Sequence, residues 1–392
     1  MTVWRGVFVG AVVLLVALPL ATTVVEAKRI LRQAPEQKAP RAADAETYRA
    51  AILVDADTGT VLFEKNPHLK APPASMTKMM LILLVAERVR DGSMHWDDPI
   101  TASAWASKIG GSQVYLKEGE VFPLSEMMQA IVIHSANDAS AAVAEAVAGS
   151  SEAFVDLMNE RAKQLGMKDT VYHSVHGLPP GKGQQSDMSS AADLATLARE
   201  LVKSPEVMKW AGTREAPFRN GSMTLTNTNR LVRETNWVDG LKTGYYREAG
   251  FNVTATGQRD GLRLITVILG APEKHDCFAE AAKLLNKGFA ENKALVAVKR
   301  GDTVANDVAV KGGNPRFVRV VAGGNVSVLA KRGEKRNLSV ELTLSGDVHA
   351  PLKVNDAIGE VVVKDGDVVI GRVPALAAEA AERQTSLWDR LF

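Results

Sequence analysis

Apolar and polar positions change their rhythm three times along the chain. The first apolar tract is continuous: Gly6 to Val25 carries no charge. From Tyr48 to about Asn292, helix-period and strand-period stretches alternate. Apolar residues recur every three or four positions over Ser75–Arg88, Ser125–Ile133, Ala139–Ala148, Ser151–Leu165, Ser190–Lys203 and Phe278–Asn292, which predicts six helices. Ala51–Asp55 and Val61–Phe63, separated by Asp57-Thr58-Gly59, read as a hairpin, and Gly250–Thr256 and Leu262–Leu269 as two further strands. Helices grouped between strands from both ends of one segment predict an α+β domain whose first and last strands share a sheet.

After Asn292 the runs become short and rich in valine, as in Phe317-Val318-Arg319-Val320-Val321, and are divided by turns such as Gly312-Gly313, Gly323-Gly324 and Asp365-Gly366. Glycine accepts the positive φ such reversals need. Residues 297–373 are therefore expected to form a small all-β domain. Over residues 375–392, Leu376, Ala380, Leu387 and Leu391 share one helical face, with Trp388 and Phe392 at its edge, which predicts an amphipathic helix able to lie on a membrane surface.

The N-terminal tract fits a secretory signal peptide over residues 1–27. Arg5 precedes the apolar run, and Val25-Glu26-Ala27 supplies small residues at a cleavage point. Twenty uncharged residues also suffice for an uncleaved signal anchor. Both readings export the chain, to the periplasm or the outer face of the cytoplasmic membrane. Residues 28–45 are polar with scattered proline and alanine, and read as a linker before the α+β domain, over residues 46–292.

Composition narrows the choice further. Among 392 residues, 46% are hydrophobic and 23% charged, which suits a globular chain and excludes a disordered one. The formal net charge of +2 offers no basic field for nucleic acid. A single cysteine, Cys277, excludes an internal disulfide framework and a cysteine zinc site. Of the seven histidines only His173 and His176 are close together, with no third ligand in view, so neither a metal nor a cofactor is expected.

Three polar clusters interrupt this apolar frame. Ser75-Met76-Thr77-Lys78 opens an almost wholly apolar helix, and the three-residue spacing puts Ser75 and Lys78 on one face. A serine hydroxyl needs a neighbouring base, and burial makes a lysine neutral enough to be one. Ser135-Ala136-Asn137 lies on a turn between two apolar helices, where a hydroxyl and an amide can share a cleft. Lys242-Thr243-Gly244 precedes the two later strands and offers charge, a hydroxyl and room for an approaching backbone. Taken singly, each cluster also reads as a helix cap or a turn. What counts is their succession in one exported chain, with 60 residues from Ser75 to Ser135 and 107 from Ser135 to Lys242.

With these clusters in this order, the chain resembles the low-molecular-mass penicillin-binding proteins, specifically the serine D-alanyl-D-alanine carboxypeptidases. The segments that carry the resemblance are PPASMTKMM, IHSANDASAAVAE, VDGLKTGYYREAGFNVTATG and FAEAAKLLNKGF, and it extends over about residues 45–373. It implies a transpeptidase-like catalytic domain followed by a β domain, removal of the terminal D-alanine from peptidoglycan pentapeptide, and covalent inhibition by β-lactam antibiotics. It further implies that Ser75 is acylated and Lys78 takes its proton, while Ser135 passes a proton to the leaving amine. Asn137 would bind the substrate amide, Lys242, Thr243 and Gly244 the carboxylate end, and the Ser75 and Tyr245 amides would form the oxyanion hole.

Three alternatives share these residues. A class A β-lactamase needs a Glu-x-x-Leu-Asn element between Asn137 and Lys242, and none occurs there. A D,D-endopeptidase would use the same site on crosslinks. A non-catalytic envelope binding protein would have no use for a lysine at the Lys78 position.

Overall fold

A computed structural model describes residues 1–4, 6, 10 and 47–384. The expected signal segment, the linker and residues 385–392 of the expected terminal helix lie outside the described residues, apart from those first few positions.

The catalytic region is built on a five-stranded antiparallel sheet. Its strands are β1 (Ala50–Asp55), β2 (Val61–Lys65), β3 (Val238–Tyr246), β4 (Gly250–Arg259) and β5 (Leu262–Ala271), in the order β2-β1-β5-β4-β3. As the sequence predicts, the first and last segments meet: Ile52 pairs with Val267. Side chains alternate across a strand. Ile52, Val54, Val267 and Leu269 therefore face one core, while Leu53, Leu264 and Ile268 face another.

The first core is roofed by helices α1 (Lys78–Arg90), α2 (Asn137–Ala148), α3 (Ser151–Gln164) and α4 (Ala191–Leu201). Every residue of α1 from Lys78 to Ala86 is buried, which is why its sequence is apolar all round. The second core is covered by α5 (Lys274–Glu291) through a stripe of Cys277, Phe278, Ala281, Leu284, Leu285 and Phe289 at helical spacing. Strand β3 is left at the edge of the sheet, with one side open to a ligand.

The valine-rich part folds as expected into an all-β domain, but its limits are wider. It starts with β6 (Asn292–Val298) and runs through β7 (Thr303–Lys311), β8 (Phe317–Ala322), β9 (Val326–Lys331), β10 (Leu338–Leu344), β11 (Ala357–Asp365) and β12 (Val368–Ala377). A short strand, Glu382–Arg383, pairs with Gly313–Asn314. Val318, Val320, Val361, Val363, Ala375 and Ala377 form its core. The domain is fastened to α5: Arg332 Nε and Nη2 donate to the Phe289 carbonyl at 3.1 and 3.0 Å, and the Arg332 amide donates to the Glu291 carbonyl at 2.8 Å.

The helix expected from Ala375 is not formed in the described part. Ala375–Ala377 continue β12 and pair with Val320–Ala322, and the Ala381 amide donates to the Leu352 carbonyl at 2.9 Å. The alanines favour a helix locally, yet they are small enough to close the β core, and the ladder partners decide the outcome. Ala375 and Ala377 are wholly buried there, so this stretch offers no apolar face to a membrane. No helix among the described residues is long and apolar enough to cross one.

Candidate active site

Ser75 stands on a turn. Residues Ala74–Thr77 form a 3-10 segment ahead of α1, so the expected helix begins three residues later, at Lys78. The spacing still brings the two side chains together: Lys78 Nζ donates to Ser75 Oγ at 3.0 Å and to the His176 carbonyl at 2.6 Å. Lys78 is wholly buried. Burial first, and then the like charge of Lys242, hold its pKa well below the usual lysine range; the carboxylates of Asp187 and Asp138 oppose this less strongly.

The second cluster sits where the backbone bends hardest. Residues Ala130–His134 form a π-helical turn that ends on Ser135 in the left-handed region, at φ 67°. That bend sets Ser135 Oγ against Lys242, whose Nζ donates to it at 2.8 Å. Asn137, two residues on, opens α2 with its side chain 1% exposed. Its Nδ2 donates to the Gly110 carbonyl at 2.7 Å, while its Oδ1 has no protein partner. A buried acceptor left open next to a cleft is suited to a substrate N–H.

Strand alternation divides the third cluster. Lys242 turns inward to Ser135, is 1% exposed, and also donates to the Thr243 carbonyl at 3.1 Å. Burial brings its pKa down to about 7. Thr243 turns the other way and donates to Thr228 Oγ1 at 2.8 Å. At Gly244 the strand meets the serine turn: a Cβ there would stand 2.2 Å from the Pro73 carbonyl oxygen and 3.1 Å from the Ser75 amide nitrogen. Only glycine fits this approach.

These groups surround a cavity of about 400 Å³, whose lining includes Ser75, Ser135, Thr243, Tyr245 and Phe251. Tyr245 stacks on Phe251 with ring centroids 4.1 Å apart and stays 56% exposed, making an aromatic wall. The lining contains no carboxylate. A larger cavity, about 610 Å³, lies beyond the loop 173–178, with Trp105 and Glu152 on its wall.

A buried Ser–Lys pair, a Ser–Lys bridge beside it and a Lys-Thr-Gly edge strand thus meet on one cleft. Residues 35–273 match the D-alanyl-D-alanine carboxypeptidase family. The chain belongs to this family. Residues 295–383 match the C-terminal domain of penicillin-binding protein 5. The chain is 37% identical over 335 residues to D-alanyl-D-alanine carboxypeptidase DacF of Bacillus subtilis, covering 84% of this chain and 85% of that one. It superposes with a TM-score of 0.70 and 26% identity on the peptidoglycan synthesis regulatory factor PBP3 of Streptococcus pneumoniae, covering 86% of this chain and 100% of that one. Penicillin-binding protein D2 of Listeria monocytogenes, in its ampicillin-bound form, aligns over 62% of this chain and 98% of that one, with a TM-score of 0.57 and 29% identity. Membership fixes the enzyme class as a serine-type carboxypeptidase and the fold as that of a penicillin-binding protein.

All of the residues singled out by the three motifs converge on this one cleft or on its rear wall. The sequence does not single out the residues that hold the family's site together here. Asp187 is the main one. Its Oδ1 accepts from the His173 and Ser174 amides at 2.6 and 2.9 Å, and its Oδ2 from Ser174 Oγ and Thr77 Oγ1 at 2.7 and 3.0 Å. One carboxylate thus ties the loop that carries the His176 carbonyl to the turn that carries Ser75. His176 is itself held neutral, its pKa lowered by burial and by Lys78 to about 4. Asp138 does similar work, accepting from the Val114, Leu116 and Ala139 amides. Asn252 spans the sheet and the serine turn, with Nδ2 donating to the Pro72 carbonyl at 3.1 Å and Oδ1 accepting from the Gly270 amide at 2.7 Å. The one signal for Asp187 in the sequence is an acid among small polar residues after a glycine- and proline-rich loop, and that pattern is common on protein surfaces.

Proposed function

We propose that the enzyme removes the terminal D-alanine from peptidoglycan stem peptides through an acyl-enzyme on Ser75. The 3.0 Å Ser75–Lys78 contact inside a dry helix carries this reading. With the amine neutral, the Ser75 hydroxyl donates to its lone pair, and Lys78 takes the proton as Oγ attacks the carbonyl carbon. The Ser75 and Tyr245 amides receive the developing oxyanion, each such donor contributing roughly 3 kcal/mol. The C–N bond then breaks as Ser135, bridged to Lys242, gives its proton to the departing D-alanine nitrogen and is reprotonated by the proton held on Lys78, which returns to the neutral amine. Water attacks the ester, its proton passing to Lys78 and from there to the departing Ser75 Oγ, which restores the serine hydroxyl and leaves a shortened peptide with a new carboxylate. Asn137 Oδ1 accepts from the substrate amide, and Thr243 binds the terminal carboxylate. Lys242 supports Ser135, instead of meeting the carboxylate as the sequence suggests.

A β-lactam presents a similar amide and carboxylate and acylates the same serine. Because no carboxylate lines the cleft to activate water, the resulting ester turns over slowly. Mass spectrometry after incubation with a D-Ala-D-Ala peptide, and separately with penicillin, tests the proposal. Wild type is expected to release D-alanine and to carry one penicilloyl adduct on Ser75. Ser75→Ala is expected to lose both while keeping its fold, and an adduct on any other residue overturns the assignment.

We also place the enzyme outside the cytoplasmic membrane, on the strength of the uncharged Gly6–Val25 tract and of the wall substrate. Leu387, Trp388, Leu391 and Phe392 remain as a short apolar end segment for surface attachment. Deleting residues 385–392 is expected to release active enzyme from the membrane fraction into the soluble envelope fraction. Unchanged sedimentation overturns the attachment, and recovery from the cytoplasm overturns export.

A further inference from the structure

The inference drawn here rests on the reading of Ser75 and Thr243 above. A peptide carboxylate at Thr243 brings a full negative charge into the cleft. Hydroxyls alone answer that charge poorly, and charge-assisted bonds from a guanidinium or ammonium answer it well. Lys242 does not supply them. It is buried, its donors are directed at Ser135 and at the Thr243 carbonyl, and it is not part of the cleft lining.

The cations that do line the cleft are Arg233 and Lys274. Arg233 lies on the short helix Arg230–Glu234, which begins directly after Thr228 and Asn229. The hydroxyl of Thr228 accepts from Thr243, so the segment bearing Arg233 is already joined to the Thr243 side chain. Lys274 opens α5, whose next turn supplies Cys277 and Phe278 to the same wall. Both side chains are exposed, and among the described residues neither side chain has a hydrogen-bond or ion-pair partner. Neighbouring arginines differ: Arg230 pairs with Glu234 at 2.5 Å, and Arg214 donates to the Val232 and Thr235 carbonyls. Glu273 and Asp276 flank Lys274 in sequence but do not line the cleft.

We propose that Arg233, with Lys274 as a second charge, is the binding anchor for the substrate's terminal carboxylate. A guanidinium fork matches the two carboxylate oxygens, leaving the Thr243 and Thr228 hydroxyls to fix their orientation. The ligand class is a peptide, or a β-lactam, that ends in a free acid.

The test separates binding from turnover. In a Ser75→Ala background, calorimetry measures the Kd of a peptide ending in D-Ala-D-Ala and of its C-terminal amide. Arg233→Gln is expected to weaken the acid peptide about tenfold to a hundredfold while leaving the amide unchanged. Adding Lys274→Gln should weaken the acid further, and Arg233→Lys should restore part of the loss. In the Ser75 enzyme the same substitution is expected to raise KM for the acid peptide with little change in kcat. An unchanged Kd for the acid, an equal loss on acid and amide, or no binding of the acid peptide at all overturns the anchor. Failure of wild type to release D-alanine overturns the carboxypeptidase reading instead, whatever the calorimetry shows.

Discussion

Replacing Lys78 by methionine is expected to slow acylation by penicillin about a thousandfold, with a folded protein remaining. General-base assistance contributes roughly two to four orders of magnitude. The methionine fills the apolar space of a side chain that is wholly buried, so loss of the fold is not the expected route. Lys78→Arg should be comparably slow, because a guanidinium stays protonated and has no lone pair to offer. The wild-type rate should also follow pH in a definite sense. The reactive form is the neutral amine, so acylation rises as pH climbs through the Lys78 pKa and then levels. Because burial and Lys242 lower that pKa, the plateau is reached well below the pH at which an exposed lysine would lose its proton. Rapid-mixing measurement of covalent labelling between pH 5 and 10 reads all three. A Lys78→Met rate within tenfold of wild type, or a wild-type rate that falls as pH rises through neutrality, would remove Lys78 from the chemistry.

Gly177→Ala is expected to be nearly as damaging, although this residue reacts with nothing. Gly177 has φ 74°, and a Cβ there would stand 2.0 Å from the Ala74 carbonyl oxygen and 3.1 Å from the Ser75 amide nitrogen. The methyl group must push the serine turn aside or lift the loop, and either movement breaks the Lys78 contact with the His176 carbonyl. Misplacement by about 1 Å can cost a factor of roughly a hundred in rate. Labelling by penicillin should therefore fall at least about a hundredfold. Gly183→Ala is the control: φ is 82° there, but nothing lies within 4 Å of the added methyl. It should carry only a modest stability cost from its backbone angle and label at the wild-type rate. Equal labelling by the two variants would show that the close approach at Gly177 does not position Ser75.

These two residues mark where sequence reading succeeds and where it stops. Ser75 and Lys78 can be paired from spacing alone, because a helical or 3-10 path brings residues three apart to one side. The central sheet is equally legible, since β1 and β5 alternate apolar residues for two cores. Gly177, through a close backbone approach, and Asp187, through its carboxylate, join segments about a hundred residues apart, and no local pattern encodes such a meeting. The direction of Lys242 falls between these cases. Strand alternation says that it and Thr243 diverge, but only the bend at Ser135 decides which of them faces the cleft. Ala375–Ala377 show the opposite failure, where a strong local preference for helix yields to partners on β8 and β11.

Helix α5 joins the two halves of the molecule. Its N-terminal end lines the cleft through Lys274, Cys277 and Phe278, and its last turn is gripped by Arg332 from the β domain. Eighteen residues at 1.5 Å each make a strut of about 27 Å between those points. The rim of the cleft and the seat of the β domain are therefore opposite ends of a single helix, which sets the spacing between them.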